Sequence, residues 1–153
     1  MQRMQRGVVL AMVLSLCASG TLLAQGSTFR AADNPYQEGF AYSVGQALAP
    51  NVEVDGVRWS LVRVAPRGDR PIEGGKSNQV EITLELENVS GSAASAQIVL
   101  LLEDAGGSPL ERISLDAVRV PSGRVKSEAQ RTRVEGDALL ATARLYLFCE
   151  IVR

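Results

Sequence analysis

The chain has 153 residues, room for one domain, and its 46% hydrophobic and 22% charged content is that of a globular protein rather than a disordered one. Sixteen basic residues against seventeen acidic ones leave a formal charge of −1, which argues against nucleic acid, a partner that rewards a strong basic excess. Histidine is absent, which excludes nucleophiles activated by a His base and His-ligated zinc, copper or haem; carboxylate chemistry and oxygen-ligated cations survive.

Residues 1–24 read as a secretory signal peptide. Arg3 and Arg6 make a positive n-region, an apolar run follows from Gly7, and the small residue Ala24 precedes the expected cleavage site. Removing both arginines leaves 14 basic against 17 acidic residues, a net −3 for the exported chain. The expected location is therefore periplasmic or secreted. Two alternatives tie the chain to a membrane. The apolar run is barely long enough to serve as an uncleaved anchor, and Leu14-Ser15-Leu16-Cys17 resembles a bacterial lipobox with Cys17 lipidated. The lipobox has Leu16 where Gly, Ala or Ser belongs, and the apolar run continues past Cys17.

Residues 25–51 read as an irregular lead-in broken by Asn34-Pro35, Gly39, Gly45 and Pro50. They hold Phe29, Tyr36, Phe40 and Tyr42, four of the seven aromatic residues. This segment is expected either to lie against the domain or to dock a partner through exposed rings, which carry much of the energy of interfaces.

A β-sandwich domain is expected over 52–153. Val52-Glu53-Val54 and a strand beginning at Val57 flank the turn-like Asp55-Gly56, with Val57, Trp59 and Leu61 predicted on the buried face. Residues 65–76, with two prolines and three glycines, read as a long loop. Over 79–89, Val80, Ile82, Leu84 and Leu86 alternate with Glu81, Thr83, Glu85 and Glu87, a two-residue period with one buried and one wet face. The unbroken run Ile98-Val99-Leu100-Leu101-Leu102 predicts a strand that is central or covered on both faces. A strong turn at 104–109 leads to a strand with a break over 110–120. Residues 124–134 are polar and charged, as suits an edge strand guarded against edge-to-edge pairing. Ala138-Leu139-Leu140-Ala141 is compatible with a helical turn. From Arg144 onward, Leu145, Leu147, Cys149 and Ile151 alternate with Arg144, Tyr146, Phe148 and Glu150, again a strand. About seven short strands with frequent turns predict an all-β fold, a single antiparallel Ig-like sandwich.

Three pieces carry a family resemblance. The strand ending at Asn88-Val89-Ser90, then Asp104-Ala105-Gly106-Gly107, then Pro121-Ser122-Gly123 resemble the turn chemistry of Ig-like modules of exported bacterial proteins, such as the FxLYD and telokin-like groups. The sequence departs from that pattern by placing Ser122 between Pro121 and Gly123, and it lacks the Phe-x-Leu-Tyr-Asp signature. The resemblance implies a sandwich with a non-catalytic role and carries over no site residue.

The sequence assigns no catalytic, cofactor-binding or metal-ligating residue, and no cofactor. Glu81, Glu85 and Glu87 share one strand face, with neighbours about 7 Å apart. That spacing suits glycoside hydrolysis or a cation, and it equally suits a solvated face paired with basic residues on the next strand. Asp69 and Glu73 are the loop acids of the same alternative. Asp104 with Gly106 and Gly107 reads as a turn rather than a calcium loop. Asn88-Val89-Ser90 satisfies the N-glycosylation pattern. Arg119, Arg124, Lys126, Arg131 and Arg133 make the last third locally basic, suited to an anionic polymer or to a soluble sheet edge. Beyond the signal, Cys149 is the single thiol, flanked by alternating apolar residues. It reads as a core thiol, with an intermolecular bridge or a reactive group as alternatives.

The functional expectation is an exported non-enzymatic binding or scaffolding module of a bacterial cell envelope, with another envelope protein as its partner. Its expected contacts are Phe29, Tyr36, Phe40, Tyr42, Arg124 and Lys126, the last two on a free edge open to strand addition. The alternatives are a carboxylate-dependent hydrolase of an envelope polymer and a periplasmic inhibitor or chaperone-like protein. Oligomeric state is not legible.

Overall fold

Strict alternation of apolar and polar residues becomes strand wherever it occurs. In a computed structural model, residues 28–153 are described. The expected signal peptide over 1–24, with Cys17 and its lipobox, lies outside the described residues. Eleven strands form among the described residues: β1 (Arg30–Ala32), β2 (Tyr36–Ala41), β3 (Ala47–Leu48), β4 (Val52–Val54), β5 (Val57–Pro66), β6 (Ser77–Asn88), β7 (Ala94–Glu103), β8 (Pro109–Ser114), β9 (Val118–Val120), β10 (Val125–Glu135) and β11 (Arg144–Val152). One short helix, α1 (Gly136–Ala141), links the last two strands.

The strands form two sheets. The first runs β1-β4-β5-β6-β10, with β3 also on β5; the second runs β2-β11-β7-β8, with β9 continuing on β7 beyond β8. All pairings are antiparallel except β1 with β4. The inner faces meet in a core that includes Trp59, Ile82, Leu84 and Leu86 from the first sheet and Ile98, Leu100, Leu145 and Leu147 from the second. This is the expected all-β sandwich.

Turn chemistry sets the register. Asp55 (φ 45°) and Gly56 (φ 69°) both adopt the left-handed conformation that a two-residue hairpin requires, so β4 folds tightly onto β5. At the far end of β6, Asn88 is fully buried. Its amide nitrogen donates to the carbonyls of Ser92 (2.9 Å) and Val120 (2.9 Å), and its Oδ1 accepts from the backbone N–H (3.0 Å) and hydroxyl (2.6 Å) of Ser90. Its backbone binds Gly123 and Arg124, so one residue ties the turn at 89–92 to the turn at 121–123.

Three expectations are corrected. Residues 30–48 are not irregular: they form β1, β2 and β3, placing strands in both sheets, so the sandwich includes residues before Val52. The strands number eleven rather than about seven, because short segments that carry too few residues to show a period pair with long neighbours. The run 98–102 lies in a central strand, as expected, with one face in the core and Val99 and Leu101 half-buried on the outside. Finally, Leu61 is not a core residue. The pairing of β5 with β6 shifts between Trp59 and Leu61, a β-bulge at Ser60. One extra residue reverses the parity of everything after it, so Val62 and Val64 turn inward and Leu61 turns out. The bulge frees the Leu61 carbonyl, which accepts the Trp59 indole N–H at 2.8 Å. Unfolding measurements should find Val62→Ala costly by about 2 kcal/mol and Leu61→Ala by about 1 kcal/mol or less. The reverse order would remove the bulge from the account.

The strand with a break is confirmed as β8 and β9, interrupted over 115–117, and β10 is an edge of the first sheet. Its inward side chains, Lys126, Glu128, Gln130 and Thr132, share a face with buried Leu86, Leu84, Ile82 and Val80, so the edge carries polar groups where a partner strand would need apolar ones. The Gln130 amide closes the gap to the second sheet by accepting from Asp116 N–H (2.7 Å) and donating to Asp116 O (2.9 Å).

Candidate functional site

The rings expected to dock a partner are part of the sandwich. Tyr36 and Tyr42 are each 4% exposed. Tyr36 stands edge-on to Trp59 at 6.5 Å between centroids, and the Tyr42 hydroxyl accepts from Val64 N–H (2.8 Å) and donates toward the carbonyls of Gln46 (3.0 Å) and Val64 (3.2 Å). Burial pushes both phenols above their ordinary range, with the Glu38 carboxylate adding to the rise at Tyr36. Phe40 packs half-buried against the core, and Phe29 lies beneath the Arg58 guanidinium at 5.1 Å. Four aromatic residues close together in sequence thus serve cohesion, because alternation along β2 and the turn after it aims Tyr36, Phe40 and Tyr42 inward. Arg124 is exposed in the turn before β10, and Lys126 pairs with Glu128 at 3.1 Å. The structure does not bring these six residues together as one surface.

The acidic strand face is the outer face of the first sheet, and basic or hydroxyl neighbours meet it. Glu81 pairs with Arg131 (3.1 Å) and Glu87 with Arg58 (3.4 Å), while Glu85 accepts from the Ser60 hydroxyl (2.8 Å). Asp69 pairs with Arg63. The loop over 66–79 walls a cleft of about 470 Å³ that holds one carboxylate, Glu73, whose pKa the Lys76 ammonium at 2.7 Å holds below its ordinary value. In the turn after β7, Asp104 Oδ1 accepts the N–H groups of Gly106 (2.8 Å) and Ser108 (2.8 Å), which lowers its pKa in turn. Among the described residues no three potential metal ligands converge.

The surface that stands out is the outer face of the second sheet. On β11, Leu145, Leu147 and Cys149 point into the core, so Tyr146 and Phe148 point away from it. On β7, Leu100 and Leu102 point in, so Val99 and Leu101 point out. The register pairs Tyr146 with Leu101 and Phe148 with Val99, giving two apolar cross-strand pairs side by side. With Arg112 of β8 they line a shallow cleft of about 250 Å³. The Tyr146 ring is anchored by its hydroxyl, which donates to Gln37 Oε1 at 3.0 Å. Gly39 lies opposite Tyr146. A Cβ there would come within 3.0 Å of the Arg144 guanidinium and 3.4 Å of the Tyr146 ring, so glycine makes room for both. Arg144 pairs with Glu103 at 3.3 Å at one end of the band, and Glu150 is exposed at the other. Arg112 is exposed and has no ion-pair partner among the described residues. The signal was present in the sequence. The face of β11 opposite the core carries two aromatic residues, where a solvated face would carry polar ones.

Cys149 belongs to the core, and burial pushes its thiol up to about 12. Since the thiolate is the nucleophile, the folded protein should resist iodoacetamide at pH 8 and be alkylated once denatured. Rapid labelling without denaturant would show the thiol is accessible. Unfolding releases a thiol of ordinary value 9.0. The stability tied to keeping it neutral is therefore complete below pH 9 and is lost as the pH climbs toward 12.

No family model matches the sequence, and no curated protein matches it. Solved structures give distant likenesses. A β-glucuronidase of glycoside hydrolase family 2 is 17% identical at a TM-score of 0.38 over 54% of this chain, which spans 8% of that enzyme's length. The Avr2 effector of the fungal plant pathogen Fusarium oxysporum is 10% identical at 0.34, over 79% of this chain and 90% of the effector. The CBM22-1 xylan-binding domain of Paenibacillus barcinonensis Xyn10C is 16% identical at 0.32, over 80% of this chain and 86% of the domain. The sandwich is established by the chain's own strand pairing, and what those three proteins bind or cleave does not transfer to it at that distance.

Proposed function

We propose that this protein is an exported, non-enzymatic binding or scaffolding module that engages another protein through the outer face of its second sheet. The observation that carries this reading is the half-buried apolar band of Val99, Leu101, Tyr146 and Phe148 on a face that no other described element covers. A solvated sheet face alternates to polar residues, and contiguous apolar surface of this kind marks interaction sites. Aromatic side chains with a polar handle, as in Tyr146, are enriched at protein interfaces.

Against the hydrolase stands the geometry of the acids. Carboxylate catalysis needs two acids facing one substrate in a concave site. Glu81, Glu85 and Glu87 lie on an open sheet face with ion-pair or hydroxyl partners, and the loop cleft holds one acid. The kinship to Ig-like exported modules gains support from Asn88, whose side chain and backbone join the two turns that carry the resemblance. Export to the periplasm or medium rests on the charged start and apolar run of residues 1–24.

A photo-crosslinking residue at position 146 should capture a neighbour in the native envelope, whereas the same probe at Ser127 on the outer face of the first sheet should not. Tyr146→Ala with Phe148→Ala should abolish capture by a probe at Val99 while leaving the fold intact by circular dichroism. Equal capture from both faces, or none from either, defeats the proposal.

A further inference from the structure

We infer that the partner seated on this face is a second copy of the same chain, related by a two-fold axis that lies midway between the two facing sheets, parallel to their planes, and runs across the strands. The inference rests on the preceding reading that the face is an interface, and it names the occupant.

The order of residues along the two central strands is self-complementary. Outward on β11 stand Arg144, Tyr146, Phe148 and Glu150; outward on β7 stand Glu103, Leu101, Val99 and Gln97. The register places Leu147 opposite Leu100, and Leu100 opposite Ile113, so both series are centred on one line across the sheet. A two-fold axis above that line, midway between the facing sheets, turns each strand end for end over its own copy. Arg144 then faces the other copy's Glu150, and Tyr146 faces Phe148. Leu101 faces Val99, and Glu103 faces Gln97. On β8, Arg112 faces the hydroxyl of Ser114. A cation meets an anion, apolar meets apolar, and a carboxylate meets an amide, all twice. An isologous interface demands this self-complementarity.

The competing two-fold, parallel to the strands along β11, fails on the same residues. It would set Arg144 over Arg144 and Glu150 over Glu150, like charge against like, which interfaces select against. The axis across the strands leaves no like charges directly opposed. Sheets packed face to face near alignment are an ordinary arrangement, about 10 Å apart. Four strands at about 4.8 Å and seven residues at about 3.3 Å give a footprint of roughly 400 Å² per copy before side-chain relief. That places the pair among the small interfaces that dissociate readily, so association should depend on concentration.

The test uses the full chain, expressed with its own leader and purified after export, in analytical ultracentrifugation over a concentration series. Wild type should shift from monomer to dimer as concentration rises. Arg144→Glu alone and Glu150→Arg alone should each weaken self-association by about tenfold or more, because each sets like charges face to face. An equimolar mixture of the two variants should recover the dimer. In the mixed pair, Glu at 144 of the first variant meets Arg at 150 of the second, and the native Glu150 meets the native Arg144. A variant that merely failed to fold could not give that recovery. A wild type monomeric throughout, a dimer indifferent to both variants, or a mixture that stays monomeric would each overturn the inference. If wild type is monomeric yet a probe at Tyr146 still captures a different protein, the two-copy inference falls and the binding reading stands. If capture and dimer are both lacking, both fall.

Discussion

Gly136→Ala should lower stability by about 3 kcal/mol or more, the upper end of what overpacking produces. Gly136 starts α1 at the end of β10, where the loop over 73–78 folds back across the chain. Its N–H donates to the Lys76 carbonyl at 2.7 Å, and the Gly75 N–H reaches Asp137 Oδ1 at 2.9 Å. The Asn78 side chain braces the loop from within, accepting from Glu73 N–H (3.0 Å) and donating to the carbonyls of Glu73 (3.0 Å) and Lys76 (2.9 Å). A Cβ on residue 136 would sit 1.9 Å from the Glu73 carbonyl oxygen and 2.7 Å from its carbon. Backbone cannot rotate aside as a side chain can, so either the loop lifts and its bonds break, or α1 moves. Gly91→Ala is the control: nothing lies within 4 Å of a Cβ there, and the change should stay within about 0.5 kcal/mol. Chemical denaturation of both variants decides the matter. A Gly136→Ala loss below that of the control would mean the loop is not seated on α1.

Asn88→Ala should cost about 3 kcal/mol, because it strips a buried polar hub rather than a single contact. Alanine leaves the Val120 and Ser92 carbonyls without their amide donor and the Ser90 N–H without its acceptor. A buried group left unmatched costs its full desolvation, more than the net worth of the bond that was lost. The turn it organises also closes through Ser122, whose hydroxyl donates to the Ser90 carbonyl at 2.6 Å on the exposed side. Ser122→Ala should therefore cost well under half as much, about 1 kcal/mol. Equal losses at the two sites, measured by denaturant midpoint, would demote Asn88 from hub to one contact among several. The same geometry bears on the glycosylation pattern at Asn88-Val89-Ser90. Both amide hydrogens are engaged inside the fold, so a folded chain does not offer that nitrogen as an acceptor.

The elements with the longest periods were readable in advance. β6 declares itself through strict alternation over 80–87 and β11 through core-type residues at every second position from Leu145, and their inward residues Val80, Ile82, Leu84, Leu86, Leu145, Leu147, Cys149 and Ile151 are all buried. The turn at Asp55-Gly56 and the edge position of β10 followed from local chemistry in the same way. Leu61 shows where such reasoning ends. No residue in 57–64 announces a bulge, since the extra residue is defined only by its mismatch with β6, a strand distant in sequence. The expectation of exposed docking rings fails at Tyr36 and Tyr42, both buried, for a related reason. Phe29, Tyr36, Phe40 and Tyr42 cluster in sequence, which invites a docking segment. Tyr146 and Phe148 sit in a strand whose other face already satisfied the core, and they look redundant until the sheet is assembled.

By itself the sequence determined that the long stretches such as β6 and β11 would be pleated, which of their side chains would share a face, and where the chain turns at Asp55-Gly56 and over 104–109. Those properties depend on neighbours one to four residues away. Only the tertiary structure decided that two sheets hide the tyrosines of residues 36–42, that a bulge turns Leu61 out, and that the second sheet leaves an apolar face uncovered. A face is inside or outside only with respect to what is stacked on it. That stacking is settled by strands brought together from across the whole chain.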